Sequence, residues 1–316
     1  MKRVTCFGTG LIGVGWGVDF LKGGCEVTFY DIDQEKLDAA RGGVKSILSF
    51  LSFKGLITEE QVQDCLSRAH YTADVAEAVA KAELIQENGP ENLELKHEII
   101  KAIEAHCPAD AIIASSTSGL LISDIAAKAT HPERIIGGHP YNPVYVMPLV
   151  EISKGEKTEQ RYADMAKAFY TELGKEPVIL NKESLGFICN RIQIAVLREA
   201  YDLVHRGVCS VEDVDKAVTF GVGLRWAILG PHLINQLGGG AEGFKGLYNR
   251  LSGTVNLWLE DMATWTKCPE DYPDIAVEGI AAEMANRAPG TGQNALELGA
   301  YLNNGILELL RFHGKI

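Results

Sequence analysis

Long hydrophobic runs, an excess of positive charge and paired cysteines are all missing from this sequence. No apolar run approaches the ~20 residues that a membrane-spanning helix requires. The first residues, MKRVTCFGTG, pass from a strand pattern into a glycine turn and leave no room for a signal peptide. The net charge is −12, whereas binding to nucleic acid needs clustered Lys and Arg. We therefore expect a cytoplasmic protein with no membrane and no nucleic-acid partner.

The cysteines do not have the pattern of a metal or redox site. They number seven, and no two have the C-x-x-C spacing of such sites. Most stand among apolar neighbours, which is typical of reduced thiols in a cytosolic protein. The content of 46% apolar and 23% charged residues is that of an ordinary globular protein, and 316 residues suffice for two domains. We expect no bound metal.

Short β-branched runs alternate with helical patterns through the first part of the chain. Predicted strands cover residues 3–7, 26–30, 84–87, 111–114, 134–138 and 177–180, with helices 34–50 and 93–105 between them. This alternation is typical of a doubly wound, parallel α/β sheet of the Rossmann type. From Gly186 onward only helical patterns remain, over 187–205, 211–220, 244–265, 275–286 and 293–311. We predict a Rossmann domain over 1–185 and a smaller all-helical domain over 186–316.

A glycine-rich turn between the first strand and the first helix indicates a dinucleotide site. Residues 8–13 read G-T-G-L-I-G, and their position between a strand and a helix makes this G-x-G-x-x-G motif specific. Its glycines permit a tight turn, close approach of a pyrophosphate to the helix N-terminus, and close helix–strand packing. The second strand ends in Asp31, a carboxylate that binds the adenine-ribose hydroxyls and repels a 2′-phosphate. We predict NAD as the cofactor, with contacts to Gly8, Gly10, Leu11, Ile12, Gly13 and Asp31.

Four further segments follow in order along the chain. They read S-S-T-S-G-L (115–120), G-H-P-Y-N-P (138–143), P-L-V-E (148–151) and G-F-I-C-N-R (186–191). This ordered set resembles the L-3-hydroxyacyl-CoA dehydrogenase superfamily, and the resemblance extends from the glycine turn to about Gly230. It implies that the protein is an NAD-dependent enzyme that interconverts a 3-hydroxy acid and its 3-oxo acid by hydride transfer.

The resemblance also implies roles for individual residues. His139 takes the place of the general acid/base, and Glu151 orients it and stabilises its charged form. Ser118 hydrogen-bonds the substrate oxygen, and Asn190 completes the site from the start of the second domain. In relatives, the segment that reads E-N-L-E-L-K here (91–96) lies beside the nicotinamide ribose. The cofactor contacts predicted from this segment are Glu91 and Lys96.

The chemistry of hydride transfer favours the same catalytic residues. Removing a hydride from a carbinol carbon leaves a hydroxyl proton, and histidine is the side chain that titrates close to neutral pH. A carboxylate on its other ring nitrogen fixes the tautomer, and Glu151 ends an apolar strand where an unpaired carboxylate is costly. Ser118 and Asn190 can donate to the developing alkoxide. The alternatives are a structural role for His139, a turn role for Ser118 and a helix-capping role for Asn190.

Details of the motifs differ from those of the acyl-CoA enzymes. Gly119 and Pro140 stand where those enzymes have a serine and an aromatic residue. G-L-R-W (223–226) carries a charge in a stretch that is uncharged in those enzymes. This spelling resembles the branch that acts on small free acids, which includes carnitine 3-dehydrogenase, L-gulonate 3-dehydrogenase and lens λ-crystallin. We therefore predict a free 3-hydroxy carboxylate as the substrate.

The predicted substrate pocket draws on both domains. We expect Arg225 in a glycine-punctuated turn, as a bidentate clamp on the substrate carboxylate or, alternatively, as half of an interdomain salt bridge. Trp226, Tyr141 and Tyr145 form either an aromatic cage for a quaternary ammonium group or ordinary interdomain packing. Together with Ser118 and Asn190, these are the predicted substrate-binding residues.

Two other functions and one assembly question follow from the sequence. An acyl-CoA dehydrogenase shares these motifs, and a non-enzymatic structural or binding protein of the λ-crystallin kind shares the scaffold. The intact set of catalytic residues favours an enzyme. The C-terminal stretch carries more apolar positions than one small helical layer buries, among them Leu257, Ile280, Leu298 and Leu309. We therefore predict a homodimer formed through the helical domain.

Overall fold

One eight-stranded sheet organises the first part of the chain in the computed structural model, which describes residues 1–316. Its strands are β1 (Arg3–Phe7), β2 (Glu26–Tyr30), β3 (Ala69–Thr72), β4 (Leu84–Glu87), β5 (Ile112–Ser115), β6 (Ile135–Pro140), β7 (Leu149–Lys154) and β8 (Glu176–Ile179). The helices around it are α1 (Leu11–Lys22), α2 (Gln34–Phe53), α3 (Glu59–Ser67), α4 (Val75–Val79), α5 (Leu93–Glu104), α6 (Ile122–Ile125) and α7 (Gln160–Glu172).

The strand order is β3-β2-β1-β4-β5-β6-β7-β8, and every pair is parallel except β6 with β7. The doubly wound Rossmann fold predicted from the sequence is therefore confirmed. The predicted strands lacked β3 at the sheet edge, and the apolar strand expected to end at Glu151 continues to Lys154 as β7. The predicted strand 134–138 was too short at its end, since β6 extends to Pro140 and so includes His139.

Apolar side chains alternate along the strands and fill a core on each face of the sheet. On one face, Val4 and Cys6 of β1 belong to a cluster that includes α1, α2, α3 and α7. On the other face, Phe7 belongs to a second cluster with α4, α5 and α6. Covering both faces with helices leaves the carboxyl edge of the parallel strands as the open edge, which is where ligands bind in such sheets.

The chain divides into two compact units, Met1–Arg191 and Ile192–Ile316. α8 (Cys189–His205) begins at the end of the first unit. The remaining helices are α9 (Val211–Ala217), α10 (Gly223–Ile228), α11 (Pro231–Gly238), α12 (Gly243–Asp261), α13 (Tyr272–Asn286) and α14 (Ala295–Phe312). The second unit contains no strand, as predicted.

The expectation that Arg225 lies in a glycine-punctuated turn was wrong. A π-helical segment, Val218–Val222, joins α9 directly to α10, and Arg225 lies within α10. Gly221, whose φ of −104° and ψ of −105° are not helical, kinks the chain at this point, whereas Gly223 has helical backbone angles. No single helix of the chain is long and apolar enough to cross a membrane. One pair bent by 91°, Val211–Ile228 with Pro231–Gly238, meets the length and composition criteria together.

Candidate active site

The glycine turn at residues 8–13 has the geometry that its sequence predicts. Gly8 has a left-handed backbone (φ 98°), and its N–H donates to the Tyr30 carbonyl at 2.8 Å, which links the ends of β1 and β2. A Cβ on Gly13 would lie 1.9 Å from the Gly8 carbonyl oxygen, so only glycine permits this close approach of α1 to the turn. A Cβ on Gly10 would meet nothing within 4 Å. The turn is therefore tightly packed between Gly8 and Gly13, while the space beside Gly10, at the N-terminus of α1, is open.

Asp31 lies directly beside this turn at the end of β2. Its Oδ2 accepts hydrogen bonds from the backbone N–H and the hydroxyl of Thr9, both at 3.0 Å. The ammonium of Lys36 lies 3.9 Å from Oδ1. Asp31 is therefore fixed at the carboxyl edge of the sheet with one oxygen turned away from Thr9. The flanking turn residue Leu11 is 69% exposed, and Ile12 is half-buried.

His139 and Glu151 form a buried pair across the antiparallel strands β6 and β7. The two residues are direct partners in the strand register, and His139 Nδ1 lies 2.9 Å from Glu151 Oε2. Both side chains are buried, since 5% of His139 and 1% of Glu151 is exposed. With an ionised carboxylate at Nδ1, the imidazole carries its proton on Nδ1, which leaves the Nε2 lone pair to accept a proton.

The second carboxylate oxygen of Glu151 is also occupied. The backbone N–H groups of Ile188 and Cys189 donate to Oε1 at 2.8 and 3.0 Å. Burial raises the pKa of the Glu151 carboxyl, but hydrogen bonds from His139, Cys189 and Ile188 outweigh it, and the net pKa is lowered. Glu151 is therefore held as an anion beside the imidazole.

Glu91 and Asn190 hold the loop that carries Ser118 from two sides. One carboxylate oxygen of Glu91 accepts from the Thr117 hydroxyl at 2.6 Å and from the N–H groups of Ser118 and Gly119, both at 3.0 Å. The Asn190 side-chain amide donates to the Ser118 carbonyl at 2.9 Å. The Ser118 backbone is therefore fixed, while Ser118 itself is exposed.

Lys96, a predicted cofactor contact, forms a buried ion pair with Glu87. It is 1% exposed and donates to both oxygens of Glu87, at 3.0 and 2.8 Å. Glu87 also accepts from the Ser115 hydroxyl and from the Gly89 N–H, so the buried carboxylate is fully compensated. The Lys96 ammonium also lies 4.0 Å from Oε2 of Glu91, the carboxylate that holds the Ser118 loop.

Tyr141 and Tyr145 each have a different aromatic neighbour. The ring of Tyr141 lies edge-on to His139, with centroids 6.5 Å apart. Tyr145 packs edge-on against Phe50 of α2 at 6.4 Å. Burial raises the pKa of both phenols. Arg225 and Trp226 lie in α10 of the second unit, where both side chains are exposed and no carboxylate of that unit pairs with Arg225.

A buried polar network that was not predicted from the sequence lies behind the catalytic strand. The Gln86 amide donates to the carbonyl of Gly138 at 3.0 Å and to the Ser116 hydroxyl at 2.8 Å. The Tyr170 hydroxyl donates to Gln86 at 2.7 Å, and the Trp16 indole donates to Ser116 at 3.2 Å. The available signal was the same as for Glu151: Gln86 and Glu87 are polar residues at the end of an apolar strand, and they need buried partners.

These features together define a class of protein. The open glycine turn with Asp31 fits a dinucleotide, and a buried histidine–carboxylate pair lies at the same carboxyl edge of the sheet. This is the arrangement of a dehydrogenase that uses a nicotinamide cofactor to act on a hydroxyl group.

Comparisons with known proteins identify the family within that class. Residues 3–184 match the model of the 3-hydroxyacyl-CoA dehydrogenase NAD binding domain, and residues 186–271 match that of the 3-hydroxyacyl-CoA dehydrogenase C-terminal domain. An L-carnitine dehydrogenase from Oceanobacillus iheyensis is 38% identical over 88% of this chain and 87% of its own length. A 3-hydroxyacyl-CoA dehydrogenase from Gibberella moniliformis is 38% identical over 83% of this chain and 81% of its own length.

A solved structure agrees with these matches. The crystal structure of 5-formyl-3-hydroxy-2-methylpyridine 4-carboxylic acid 5-dehydrogenase, an NAD⁺-dependent dismutase, superposes with a TM-score of 0.80. The two proteins are 27% identical, and the match covers 99% of this chain and 97% of that one. The chain belongs to the 3-hydroxyacyl-CoA dehydrogenase family. It is an NAD-dependent oxidoreductase that acts on the CH–OH group of a 3-hydroxy acid.

Proposed function

We propose that this enzyme interconverts a small free 3-hydroxy acid and its 3-oxo acid, with carnitine as the first candidate substrate. The buried pair of His139 and Glu151 carries the catalytic part of this proposal, because its geometry leaves Nε2 as the proton acceptor. The names of relatives support the substrate part, since several relatives of 35–38% identity are L-carnitine dehydrogenases.

The side chains divide the chemistry between them. Gly8, Gly10, Leu11, Ile12, Gly13 and Asp31 would hold NAD, which would supply the acceptor for the hydride of the carbinol carbon. His139 takes the hydroxyl proton on Nε2, and Glu151 stabilises the imidazolium that results. The Ser118 hydroxyl donates to the substrate oxygen from a backbone that Glu91 and Asn190 hold in place. The Asn190 amide has a second N–H for the same oxygen.

A free carboxylate in a partly dry pocket needs a compensating charge. Arg225 is the proposed clamp, and its lack of a carboxylate partner within its own unit supports this role. Trp226, Tyr141 and Tyr145 are proposed to shape the pocket for the remainder of the substrate, a quaternary ammonium group in the case of carnitine. The match to a dehydrogenase named for a free pyridine carboxylic acid also favours a free acid.

A second candidate is an acyl-CoA thioester. The relative from Gibberella moniliformis, named 3-hydroxyacyl-CoA dehydrogenase, is as similar to this chain as the carnitine enzymes are. The same catalytic residues would serve both substrates. Only the groups that bind the far end of the substrate would differ.

A screen of initial rates separates the candidates. NADH formation is followed with NAD and L-carnitine, L-gulonate, free 3-hydroxybutyrate or 3-hydroxybutyryl-CoA. We expect a free acid to have the highest kcat/KM, with L-carnitine first. A kcat/KM at least tenfold higher for the thioester would overturn the free-acid proposal. No turnover of any hydroxy acid, with NADH still bound, would favour a structural protein of the λ-crystallin kind.

We further propose that the enzyme is a cytoplasmic homodimer formed through its helical unit. The predicted contact residues support this, since Leu257, Ile280 and Leu298 are 65%, 49% and 36% exposed in the single chain. All seven cysteines are free thiols, which suits a reducing compartment.

A further inference from the structure

Phe187 has a backbone conformation that its side chain disfavours. It is the one residue other than glycine with a positive φ, at 51°, and it directly follows Gly186, whose φ is 72°. Bulky side chains rarely adopt this left-handed region, and when they do the surrounding structure imposes it, often at a functional site. A glycine would avoid the strain, so the presence of phenylalanine here implies a use for its ring.

The ring of Phe187 lies against the catalytic pair. Its centroid is 5.3 Å from that of the His139 imidazole, with 50° between the planes. Phe187 is 1% exposed, yet it belongs to neither of the two hydrophobic clusters that fill the faces of the sheet. The ring that it faces is that of the catalytic histidine.

The backbone of Phe187 has a second effect. Its N–H closes a turn onto the Ser184 carbonyl at 3.0 Å, and α8 begins two residues later at Cys189. The first N–H groups of a helix lack partners within the helix, and here those of Ile188 and Cys189 meet Glu151 Oε1. The two left-handed residues reverse the chain so that these N–H groups point at the carboxylate.

We propose that Phe187 is a positioning residue for the His139–Glu151 pair: its ring holds the imidazole, and its left-handed backbone directs two N–H groups onto Glu151. The inference rests on the proposed function, because it assumes that this pair performs the proton transfer. It adds a residue of the G-F-I-C-N-R segment that no sequence argument had assigned.

Two substitutions separate the ring from the backbone. Phe187→Gly removes the ring, but glycine adopts the left-handed turn freely and keeps the N–H groups on Glu151. Phe187→Ala also removes the ring, but alanine is still disfavoured at a positive φ. Without the ring to hold it, the turn relaxes to another conformation, and the two N–H groups move away from Glu151. Phe169→Ala is the matched control, since Phe169 is a buried phenylalanine of the α7 core.

The readout is the titration of the His139 ring, followed by NMR of enzyme labelled with ¹⁵N-histidine and assigned with His139→Gln. Without its two N–H donors, the negative charge of Glu151 is stabilised less by the backbone and interacts more strongly with the imidazolium. The imidazole of the pair should therefore stay protonated to a higher pH. The other titratable groups facing Glu151 are Tyr141 and Cys189. Burial, with the nearby Glu151 charge, raises the pKa of both side chains, so they stay protonated over the pH range in which the imidazole is titrated.

We expect Phe187→Ala to raise the midpoint by at least about half a pH unit, and Phe187→Gly and Phe169→Ala to leave it unchanged. Both Phe187 variants should lower kcat by roughly ten- to a hundredfold at unchanged Kd for NADH. An unmoved midpoint in Phe187→Ala, or an equal shift in Phe187→Gly, would overturn the proposal. If Phe187→Ala does not fold, Phe187→Leu replaces it and should shift the midpoint in the same direction. A shifted midpoint with normal kcat would instead contradict the proposed catalytic role of the pair.

Discussion

Single residues at the carboxyl edge of the sheet show how each buried charge is compensated. Glu87 meets Lys96 and Ser115, Glu151 meets His139 and two backbone N–H groups, and Asp31 meets Thr9. The sequence could predict that these carboxylates have partners, because each lies within or directly after an apolar strand. It could not predict the backbone of Phe187, since a positive φ in a bulky residue depends on its three-dimensional surroundings.

Asp31 should determine the preference for NAD over NADP. Asp31→Asn removes the negative charge but keeps an oxygen for the Thr9 hydrogen bonds, so the turn stays intact. Losing the repulsion of the 2′-phosphate should reduce the ratio of kcat/KM for NAD to that for NADP by roughly tenfold or more. Asp31→Ala should also reduce the ratio of kcat/KM for NAD to that for NADP. Asp33→Asn, which removes the neighbouring charge at the N-cap of α2, is the control and should leave the ratio unchanged. Equal or better efficiency of the unmodified enzyme with NADP would refute this role.

Arg225 should determine affinity for a free carboxylate. Losing a charge-assisted pair costs about 1.5–3 kcal/mol, so Arg225→Leu should lower kcat/KM for the best free acid by roughly ten- to a hundredfold, mostly through KM. The Kd for NADH should change little. Arg250→Leu removes another exposed arginine of the helical unit and should have no such effect. Unaltered kinetics of a folded Arg225→Leu variant would exclude the clamp.

At the scale of elements, the pairing of β6 with β7 creates the catalytic pair. The antiparallel register sets His139 opposite Glu151, which a sequence alone does not give, because register depends on which strands become neighbours. The G-x-G-x-x-G turn and the long amphipathic helices were predictable from local pattern. The edge strand β3 was not, since its four residues are only partly buried and lack a continuous apolar run.

Glu151 should stabilise this strand pairing in a pH-dependent way. Its pKa is lowered in the folded protein, so the contribution to stability is present above the unfolded pKa of about 4.3 and disappears as pH falls through the folded pKa. Glu151→Gln should therefore lower the free energy of unfolding by about 1–3 kcal/mol at neutral pH and by less in acid. Urea denaturation at several pH values measures this. Glu98→Gln, on the exposed side of α5, should change it by no more than about 0.5 kcal/mol. If the difference in the free energy of unfolding between the unmodified enzyme and Glu151→Gln grew towards acid pH, it would contradict the lowered pKa of Glu151.

At the scale of the whole molecule, the two units differ in how much apolar surface they bury. Both hydrophobic clusters lie in the first unit, and the only buried apolar side chains of the second unit are Val204, Ala263, Tyr272, Leu307 and Leu310. A helical unit of this length needs more burial than that to be stable. The composition of the C-terminal helices predicted this excess of apolar residues, but not which of them remain exposed.

The enzyme should be a dimer in solution at micromolar concentration, with twice the 34.3 kDa mass of one chain. Leu257→Asp places a charge on the exposed face of α12 and should shift the mass measured by light scattering towards the monomer. Phe53→Asp changes an exposed apolar residue of the first unit and should leave the dimer intact. A monomeric mass for the unmodified protein would refute the dimer.

The most direct test of the proposed chemistry is the turnover of His139→Gln. If His139 Nε2 accepts the substrate proton, kcat should fall by about 10²–10⁴-fold, the usual contribution of general acid/base catalysis. The Kd for NADH should stay close to that of the unmodified enzyme, because the glycine turn and Asp31 are untouched. Near-normal turnover of a folded His139→Gln variant would remove the histidine–glutamate pair from the mechanism.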